Sequence, residues 1–272
     1  MEVDLSYIEN LDLSDSERPM LDILKATLQY PARPEAKAIK LAHDINFFYE
    51  SSDESSGILW ETWYLVLDIA ASIPSGHQWH DSLLQSLDIL RKRNKPISKH
   101  NGSPIWKELP YLSETVREKW VDPAGPGEET EKLRELLSRW KNLNSFVARL
   151  SSSGIAPGIT YPIWQLREAL EEPPLQGPAM ECRIWVASEW IINYADAIFE
   201  EMNSKEEVDE DTARVLQGGT LYKGKPPLSP ERWTFWRDRF TALLTGALSL
   251  GLNSVVATRI SDALRSMDSI EA

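Results

Sequence analysis

The 272-residue chain carries 29 Lys and Arg against 42 Asp and Glu, which gives a formal net charge of −13 at pH 7. This excess of carboxylates excludes a surface built to neutralise nucleic-acid phosphates, because such a surface needs concentrated cations. The single cysteine, Cys182, excludes an intramolecular disulfide and a zinc site built on several thiolates, and it fits a reducing compartment.

The sequence predicts neither a targeting segment over its first residues nor a membrane span. Residues 1–5 are acidic and lack the apolar core of a secretory signal. The longest apolar-rich stretch, residues 240–252, is shorter than the ~20 residues that span a bilayer. The sequence therefore predicts a cytoplasmic or nuclear protein that does not associate with a membrane, and it predicts that residues 240–252 form a buried helix.

The N-terminal part of the chain shows the apolar spacing of helices, interrupted by turns. Apolar residues at intervals of three and four predict two helices between residues 18 and 49, separated by a turn that contains two prolines. The same spacing predicts helices over residues 58–73 and 81–93. We expect Asp81 to cap the second of these, because its side chain accepts a hydrogen bond well at that position.

Two histidines precede the helix that starts near Asp81. His77 and His80 have the residue type and spacing of part of a zinc site, which needs three or four ligands. The other two histidines, His43 and His100, are distant in sequence. We therefore interpret the segment as a polar helix start, and we predict no metal ion.

Residues 94–112 form the candidate internal boundary of a chain that otherwise has the pattern of a single domain over residues 1–272. The segment holds three prolines and few periodic residues, which predicts an irregular loop, and we expect Trp106 to anchor it. A short helix is predicted over residues 113–121, with Ser113 as its cap.

The rest of the chain repeats the helical pattern. Apolar spacing predicts helices over residues 133–150, 163–171, 179–202, 233–250 and 253–267, with a polar acidic helix over residues 206–217. No stretch alternates with a period of two for long enough to make a sheet. We therefore predict an all-α fold, a compact bundle of about ten helices around a single core with no sheet.

A series of aromatic segments occurs in a fixed order along the chain. The segments are Leu59-Trp60-x-x-Trp63, Trp106-x-x-Leu109-Pro110, Arg117-Glu118-x-Trp120, Trp140-x-Asn142-Leu143-Asn144, Trp164-x-x-Arg167-x-Ala169-Leu170-Glu171, Trp185-x4-Trp190 and Ser229-Pro230-Glu231-Arg232-Trp233-x-Phe235-Trp236. Together they resemble a family of filamentous-fungal proteins known as a domain of unknown function, over about residues 55 to 250. The resemblance implies a fungal, cytosolic protein, and it implies no activity, cofactor or residue role.

Tryptophan is the most distinctive part of the composition, with 11 residues. Each indole can bury ~150–250 Å² and therefore favours core packing. The functional alternative is that some of these rings line a pocket for a flat ligand. The candidate ligand-binding residues are Trp185, Trp190 and Trp236. Trp185 and Trp190 project roughly 140° apart on one helix, which is expected if that helix is buried on more than one side.

A polar stripe on the same helix supplies the candidate catalytic residues. Glu189, Asn193, Asp196 and Glu200 recur at helical spacing. If the stripe faces inward, Glu189 is a desolvated carboxylate suited to proton transfer. If it faces outward, the helix is simply amphipathic. Helical terpene cyclases bind magnesium through a motif that includes a hydroxyl side chain. The corresponding residue here is Ala197, which has no hydroxyl, so we exclude metal-dependent cyclisation of a diphosphate.

Asn144 interrupts the apolar stripe of the helix over residues 133–150 and is predicted to be a buried amide with hydrogen-bond partners. One interpretation is a hydrogen bond between helices. The other is a polar site in which Arg149 or Arg167 pairs with a ligand or with Glu189. The sequence does not decide between these two interpretations. Asn144 and Arg149 are therefore added to the candidate ligand-binding residues.

Two functional hypotheses follow. The first is a cofactor-independent helical protein that binds an apolar or aromatic small molecule, as an accessory or cyclase- or isomerase-type enzyme of fungal specialised metabolism. It draws on the tryptophans and on Gly246, Ala247, Ser249 and Gly251, small residues expected in the penultimate helix. The alternative is an acidic interaction or scaffold protein without catalytic activity, whose residues 206–211 meet a basic protein partner. A homo-oligomer is compatible with both.

Overall fold

The computed structural model describes residues 3–52, 55–93, 105–125, 130–155, 158–224 and 227–271. Every regular element in these ranges is a helix and none is a strand, which confirms the prediction of an all-α protein. The chain divides into two compact units, Met1–Val121 and Asp122–Ala272. Residues 94–104 of the predicted boundary loop lie outside the described residues, and the single-domain organisation stays a prediction.

The first unit contains the helices that the sequence predicts and a short first helix that it does not predict. They are α1 (Ser6–Glu9), α2 (Glu17–Gln29), α3 (Pro34–Ser51), α4 (Ser55–Ser72), α5 (Gln78–Arg91) and α6 (Leu112–Glu118), with a 3₁₀ turn at Ile105–Lys107. Helix α3 packs against α2 and α5, and α4 packs against α6. The periodic leucines of α2, Leu21, Leu24 and Leu28, are buried, as the spacing predicted.

Trp106 anchors its loop, as predicted, because the indole is only 1% exposed. Its Nε1 donates a hydrogen bond to Asn46 Oδ1 over 2.9 Å, which ties the 3₁₀ turn to α3. The ring meets Trp63 edge-on, with 6.2 Å between centroids, and Tyr49 in the same manner at 5.2 Å. These contacts make Trp106 a centre of aromatic packing in the first unit.

Two predicted helix caps in the first unit are wrong. Helix α5 is capped by His77, whose Nδ1 accepts a hydrogen bond from Trp79 N–H over 3.3 Å, so Asp81 lies inside the helix. Helix α6 follows Tyr111, which has a left-handed φ of 67° and makes no side-chain cap, so Ser113 lies inside the helix. Trp63 Nε1 donates to the carbonyl of the neighbouring Pro110 over 2.8 Å, and this tertiary contact holds the turn.

The second unit is organised around one long helix. Its elements are α7 (Glu131–Ser152), α8 (Thr160–Leu166) running into a π-helical turn (Arg167–Glu171), α9 (Gly177–Met202), α10 (Glu210–Val215), α11 (Pro230–Thr245) and α12 (Ser254–Glu271). Helix α9 packs against α7, α8, α11 and α12. Trp185 and Trp190 are accordingly both buried, which confirms that this helix is covered on more than one side.

The prediction of a buried helix over residues 240–252 is wrong. Helix α11 ends at Thr245, and residues 246–251 form turns in which Leu248 is 97% exposed. Gly246 is the C-cap of α11, and Gly251, whose φ of +68° favours glycine, lies in the turns that follow, so the small residues expected within the helix lie beyond its end. No helix in the described part of the chain is long and apolar enough to span a membrane.

Candidate functional site

The polar stripe predicted on α9 does not share one environment. Glu189 is 4% exposed and Asn193 is half-buried, whereas Asp196 and Glu200 are exposed. Tyr194 interrupts the helix between them with φ −141° and ψ 18°. Asn193 Nδ2 donates to the Glu189 carbonyl over 2.8 Å. Of the three candidate catalytic residues, the structure therefore buries Glu189, leaves Asn193 beside it and places Asp196 in solvent.

Glu189 joins three helices of the second unit. Ser145 Oγ of α7 donates to its Oε1 over 2.7 Å, and Arg259 of α12 places a guanidinium nitrogen 3.1 Å from its Oε2. Sequence analysis missed Arg259, because it is distant in sequence and only the packing of α12 on α9 brings it to Glu189. Both carboxylate oxygens contact protein groups, so Glu189 links α9 to α7 and α12.

Asn144 makes the helix-to-helix hydrogen bond that one interpretation predicted. Its side chain is fully buried, and its Oδ1 accepts from Trp190 Nε1 of α9 over 2.9 Å. Its Nδ2 donates to the Trp140 carbonyl over 2.9 Å. The amide and the indole of Trp190 thus satisfy each other inside the interface of α7 and α9.

Trp236 belongs to a buried ionic cluster that sequence analysis missed. Glu171, at the end of the π-helical turn, and Arg232, in α11, are both fully buried and form a bidentate pair, with Nε to Oε1 at 2.6 Å and Nη2 to Oε2 at 3.0 Å. Trp236 Nε1 and the Gly219 N–H each donate to the carboxylate over 2.6 Å. We call Glu171, Arg232, Trp236 and Gly219 the buried ionic cluster.

The buried ionic cluster is chemically saturated. The other guanidinium N–H groups of Arg232 donate to three backbone carbonyls, those of Leu216 at 2.6 Å, Pro227 at 2.5 Å and Gln217 at 3.3 Å. All five donors of the arginine are therefore used. A Cβ at Gly219 would lie 2.7 Å from the Glu171 carbonyl oxygen, so the backbone approach requires glycine. The cluster fixes the segment before α11 and offers no free group to a ligand.

A surface cleft of about 350 Å³ lies in the second unit where α7, the start of α9 and the start of α12 meet. We call it the Trp185 cleft. Its lining residues are Arg134, Leu137, Lys141, Pro178, Glu181, Cys182, Trp185, Asn253, Ser254, Val255 and Val256. Glu181 accepts two hydrogen bonds of 2.7 Å, from the backbone N–H and the Nδ2 of Asn253, and so ties the two walls together.

Two cations lie near the indole ring of Trp185, which lines the cleft. Lys141 Nζ lies 5.9 Å and the Arg259 guanidinium 5.1 Å from the Trp185 ring centroid. Burial raises the pKa of the Cys182 thiol to about 12, so the nucleophilic thiolate is scarce at neutral pH. The thiol of this cleft is therefore not suited to nucleophilic attack.

The structure separates the five predicted ligand-binding residues. Trp185 lines the cleft. Trp190 and Asn144 are paired inside the helix interface, and Trp236 belongs to the buried ionic cluster. Arg149 is half-buried on α7 and is not among the residues that line the cleft.

The histidine segment of the first unit makes local structural contacts. A ring nitrogen of the fully buried His80 lies 2.9 Å from the Ala70 carbonyl oxygen, and His77 caps α5. The described residues contain no group of three or more His, Cys, Asp or Glu side chains placed to hold a metal ion.

Comparison with known proteins bears on the family alone. No curated protein matches the chain, and no solved structure matches it. A family model described as a protein of unknown function, DUF3632, matches residues 63–240, a span that includes Trp185 and the whole buried ionic cluster. Because that span exceeds half of the sequence, the chain belongs to the DUF3632 family of proteins of unknown function.

Proposed function

We propose that the chain is a cofactor-independent helical protein that binds an apolar or aromatic small molecule in the Trp185 cleft. The observation that carries the proposal is the cleft itself, at about 350 Å³ and with an indole in its wall. This volume lies within the ~300–1,000 Å³ typical of small-molecule sites. Leu137, Pro178, Val255 and Val256 supply further apolar lining.

The proposed role is that of a carrier or accessory protein of fungal specialised metabolism, acting in the cytoplasm. Two observations favour binding over catalysis. The buried carboxylate of Glu189 is held by Ser145 and Arg259, and the thiol of Cys182 has a pKa of about 12. A protein that templates the shape of a cyclising substrate needs no such group, and that activity would use the same cleft.

The proposal predicts that a bulky residue at the mouth of the cleft abolishes binding. Val255 lines the cleft and is 62% exposed, so Val255→Trp fills the entrance without disturbing the core. With indole and 2-naphthol as probes, ligand-observed NMR should show affinity reduced at least about tenfold, which corresponds to ~1.4 kcal/mol. Leu248→Trp is the matched control, because Leu248 is 97% exposed and does not line the cleft.

Equal binding of both probes by Val255→Trp and by the wild-type protein would contradict the proposed site. Absence of probe binding to the wild-type protein, together with a native mass spectrum that shows no bound small molecule in material from its own host, would contradict the function.

A second candidate function is docking of a basic amphipathic peptide of a protein partner, and a specific cleft favours it. This acidic cleft, of about 570 Å³, lies before α10 and α11 in the second unit. Ile159, Leu216 and Leu228 supply apolar lining, and the carboxylates are those of Glu201, Glu206, Glu207 and Asp209. An apolar floor with a charged rim is the usual anatomy of a protein-binding surface.

If a basic peptide docks in the acidic cleft, reversing the charge of residues in that cleft should weaken its binding. The double variant Glu206→Lys with Glu207→Lys should weaken binding of a helical Leu/Lys peptide by about tenfold at low salt, because complementary charge is lost. Glu131→Lys with Glu135→Lys changes the net charge equally on exposed positions of α7 and serves as the control. Isothermal titration calorimetry measures both. Equal weakening by the two double variants would show that only overall charge matters.

A further inference from the structure

The first unit has a cleft whose charge is opposite to that of the chain as a whole. It measures about 700 Å³ and lies where α2 ends and where α3 and α5 begin. We call it the Lys37 cleft. Among the residues that the structure describes, its lining contains three basic side chains, Arg33, Lys37 and His77, and no carboxylate. In a chain with a net charge of −13, such a segregation of cations calls for a physical explanation.

Lys37 is the most unusual group in this cleft. It is only 6% exposed, and no carboxylate among the described residues forms an ion pair with it. Its Nζ donates a hydrogen bond to the Leu28 carbonyl at the end of α2 and lies 5.6 Å from the Trp79 ring centroid. One carbonyl uses one of three ammonium donors, and a buried charge without a counter-ion is costly.

His77 also lines the cleft and adds a second donor. Its Nδ1 accepts a hydrogen bond from Trp79 N–H, so the proton of the neutral ring resides on Nε2, which is a donor. Burial and the charge of Lys37 lower the pKa of His77, and burial lowers the pKa of Lys37. Burial is the larger cause in both cases, and the Asp81 carboxylate opposes the shift of His77, so a bound anion would mainly offset the cost of burying the Lys37 ammonium.

Backbone groups reinforce the same polarity. Pro34 begins α3 and Gln78 begins α5, and both residues line the cleft. Pro34 has no N–H and the Trp79 N–H is donated to His77, so the contribution of these helix starts is the partial positive charge of their dipoles, which favours an anion. Tyr30 and Trp79 lie beside these groups and supply aromatic surface.

We propose that the Lys37 cleft binds the phosphoryl group of a small phosphorylated molecule. Lys37 and Arg33 supply the charge, His77 Nε2 supplies a neutral donor, and Trp79 and Tyr30 contact the organic part. The buried ammonium determines the class of ligand, because a dianion both compensates Lys37 and pairs with Arg33. This site lies in the first unit and does not depend on the Trp185 cleft.

The test is isothermal titration calorimetry on the full chain at constant ionic strength, with phenyl phosphate, inorganic phosphate and phenol as probes. Phenyl phosphate should bind more tightly than inorganic phosphate, and phenol should not bind. Lys37→Met should weaken phenyl phosphate binding by at least about tenfold, and Arg33→Gln by about threefold or more, because each removes one charged contact. Lys40→Met, at a position 57% exposed on the same helix, should change it less than about twofold.

Three outcomes would overturn the proposal. Phenol binding as tightly as phenyl phosphate would show that the phosphoryl group is not recognised. Equal weakening by Lys37→Met and Lys40→Met would show a diffuse charge effect. Phenyl phosphate failing to bind the wild-type protein would exclude the site. Arg33 is exposed, so Arg33→Gln keeps the test valid if Lys37→Met does not fold. Val255→Trp should leave phosphate binding unchanged, which separates this proposal from the proposed function.

Discussion

Glu171→Gln is expected to lower the free energy of unfolding by about 3–5 kcal/mol, the largest electrostatic effect that the structure predicts. The substitution keeps the shape of the side chain but removes its charge. The Arg232 guanidinium is fully buried and has no other carboxylate partner among the described residues, so it would remain uncompensated. Urea unfolding, followed by tryptophan fluorescence and circular dichroism, measures the change.

Two further variants test whether the loss of stability comes from the buried ion pair of Glu171 and Arg232. Glu172→Gln alters the neighbouring carboxylate, whose contacts with Thr220 are exposed, and should cost less than about 1 kcal/mol. The double variant Glu171→Met with Arg232→Met removes both charges but should remain destabilised, because the Trp236 Nε1, the Gly219 N–H and the three carbonyls that accept from Arg232 all lose these partners. If Glu171→Gln were no more destabilising than Glu172→Gln, the buried ionic cluster would not have the role assigned here.

Trp106→Ala is expected to destabilise the first unit by about 3–5 kcal/mol, the range for truncation of a large buried aromatic residue. The variant loses the edge contacts with Trp63 and Tyr49 and leaves a cavity. It also leaves Asn46 Oδ1 without the indole donor that now satisfies it. Native-state hydrogen exchange of amides in α3 and α4, together with urea unfolding, measures the loss.

Phe47→Ala is the matched control for this prediction. Phe47 lies on α3 in the same unit but is 55% exposed, so its truncation should change the free energy of unfolding by less than about 0.5 kcal/mol. Equal effects of the two substitutions would contradict the placement of Trp106 at the centre of the aromatic packing.

The segments on which the family resemblance depends are mainly structural. Trp63 and Trp106 hold the turn and the loop of the first unit, and Glu171, Arg232 and Trp236 form the buried ionic cluster of the second. These residues hold the fold, because their hydrogen bonds satisfy buried polar groups that would otherwise be costly. Function must therefore be sought in the clefts, where side chains remain available to a ligand.

The candidate site was only partly predictable. Trp185 was selected as an aromatic residue on a helix buried on several sides, and it lines a cleft, while its role in binding a ligand stays a prediction. Trp190 and Trp236 carried the same signal but hydrogen-bond to Asn144 and Glu171 in the interior. A sequence pattern shows that an indole is buried, but it does not show whether a cavity adjoins it, since cavities depend on how several helices meet.

Helix positions were determined by the sequence, because a period of 3.6 residues is a local property of the chain. That is why α7, α9 and the two helices on either side of residues 31–34 lie where apolar spacing placed them. The end of α11 at Thr245 departs from this rule, because glycine favours turns over continued helix.

Only the tertiary structure decided which polar groups meet. Arg259 reaches Glu189, Arg232 reaches Glu171, and Lys37 is buried beside Trp79 with no carboxylate partner in the described part of the chain, although nothing in the local sequence marks these contacts. The physical reason is that the energies of these groups depend on desolvation and on partners distant in sequence. Periodicity shows which face of each helix is buried, whereas the charge at the base of a cleft follows from how the helices pack.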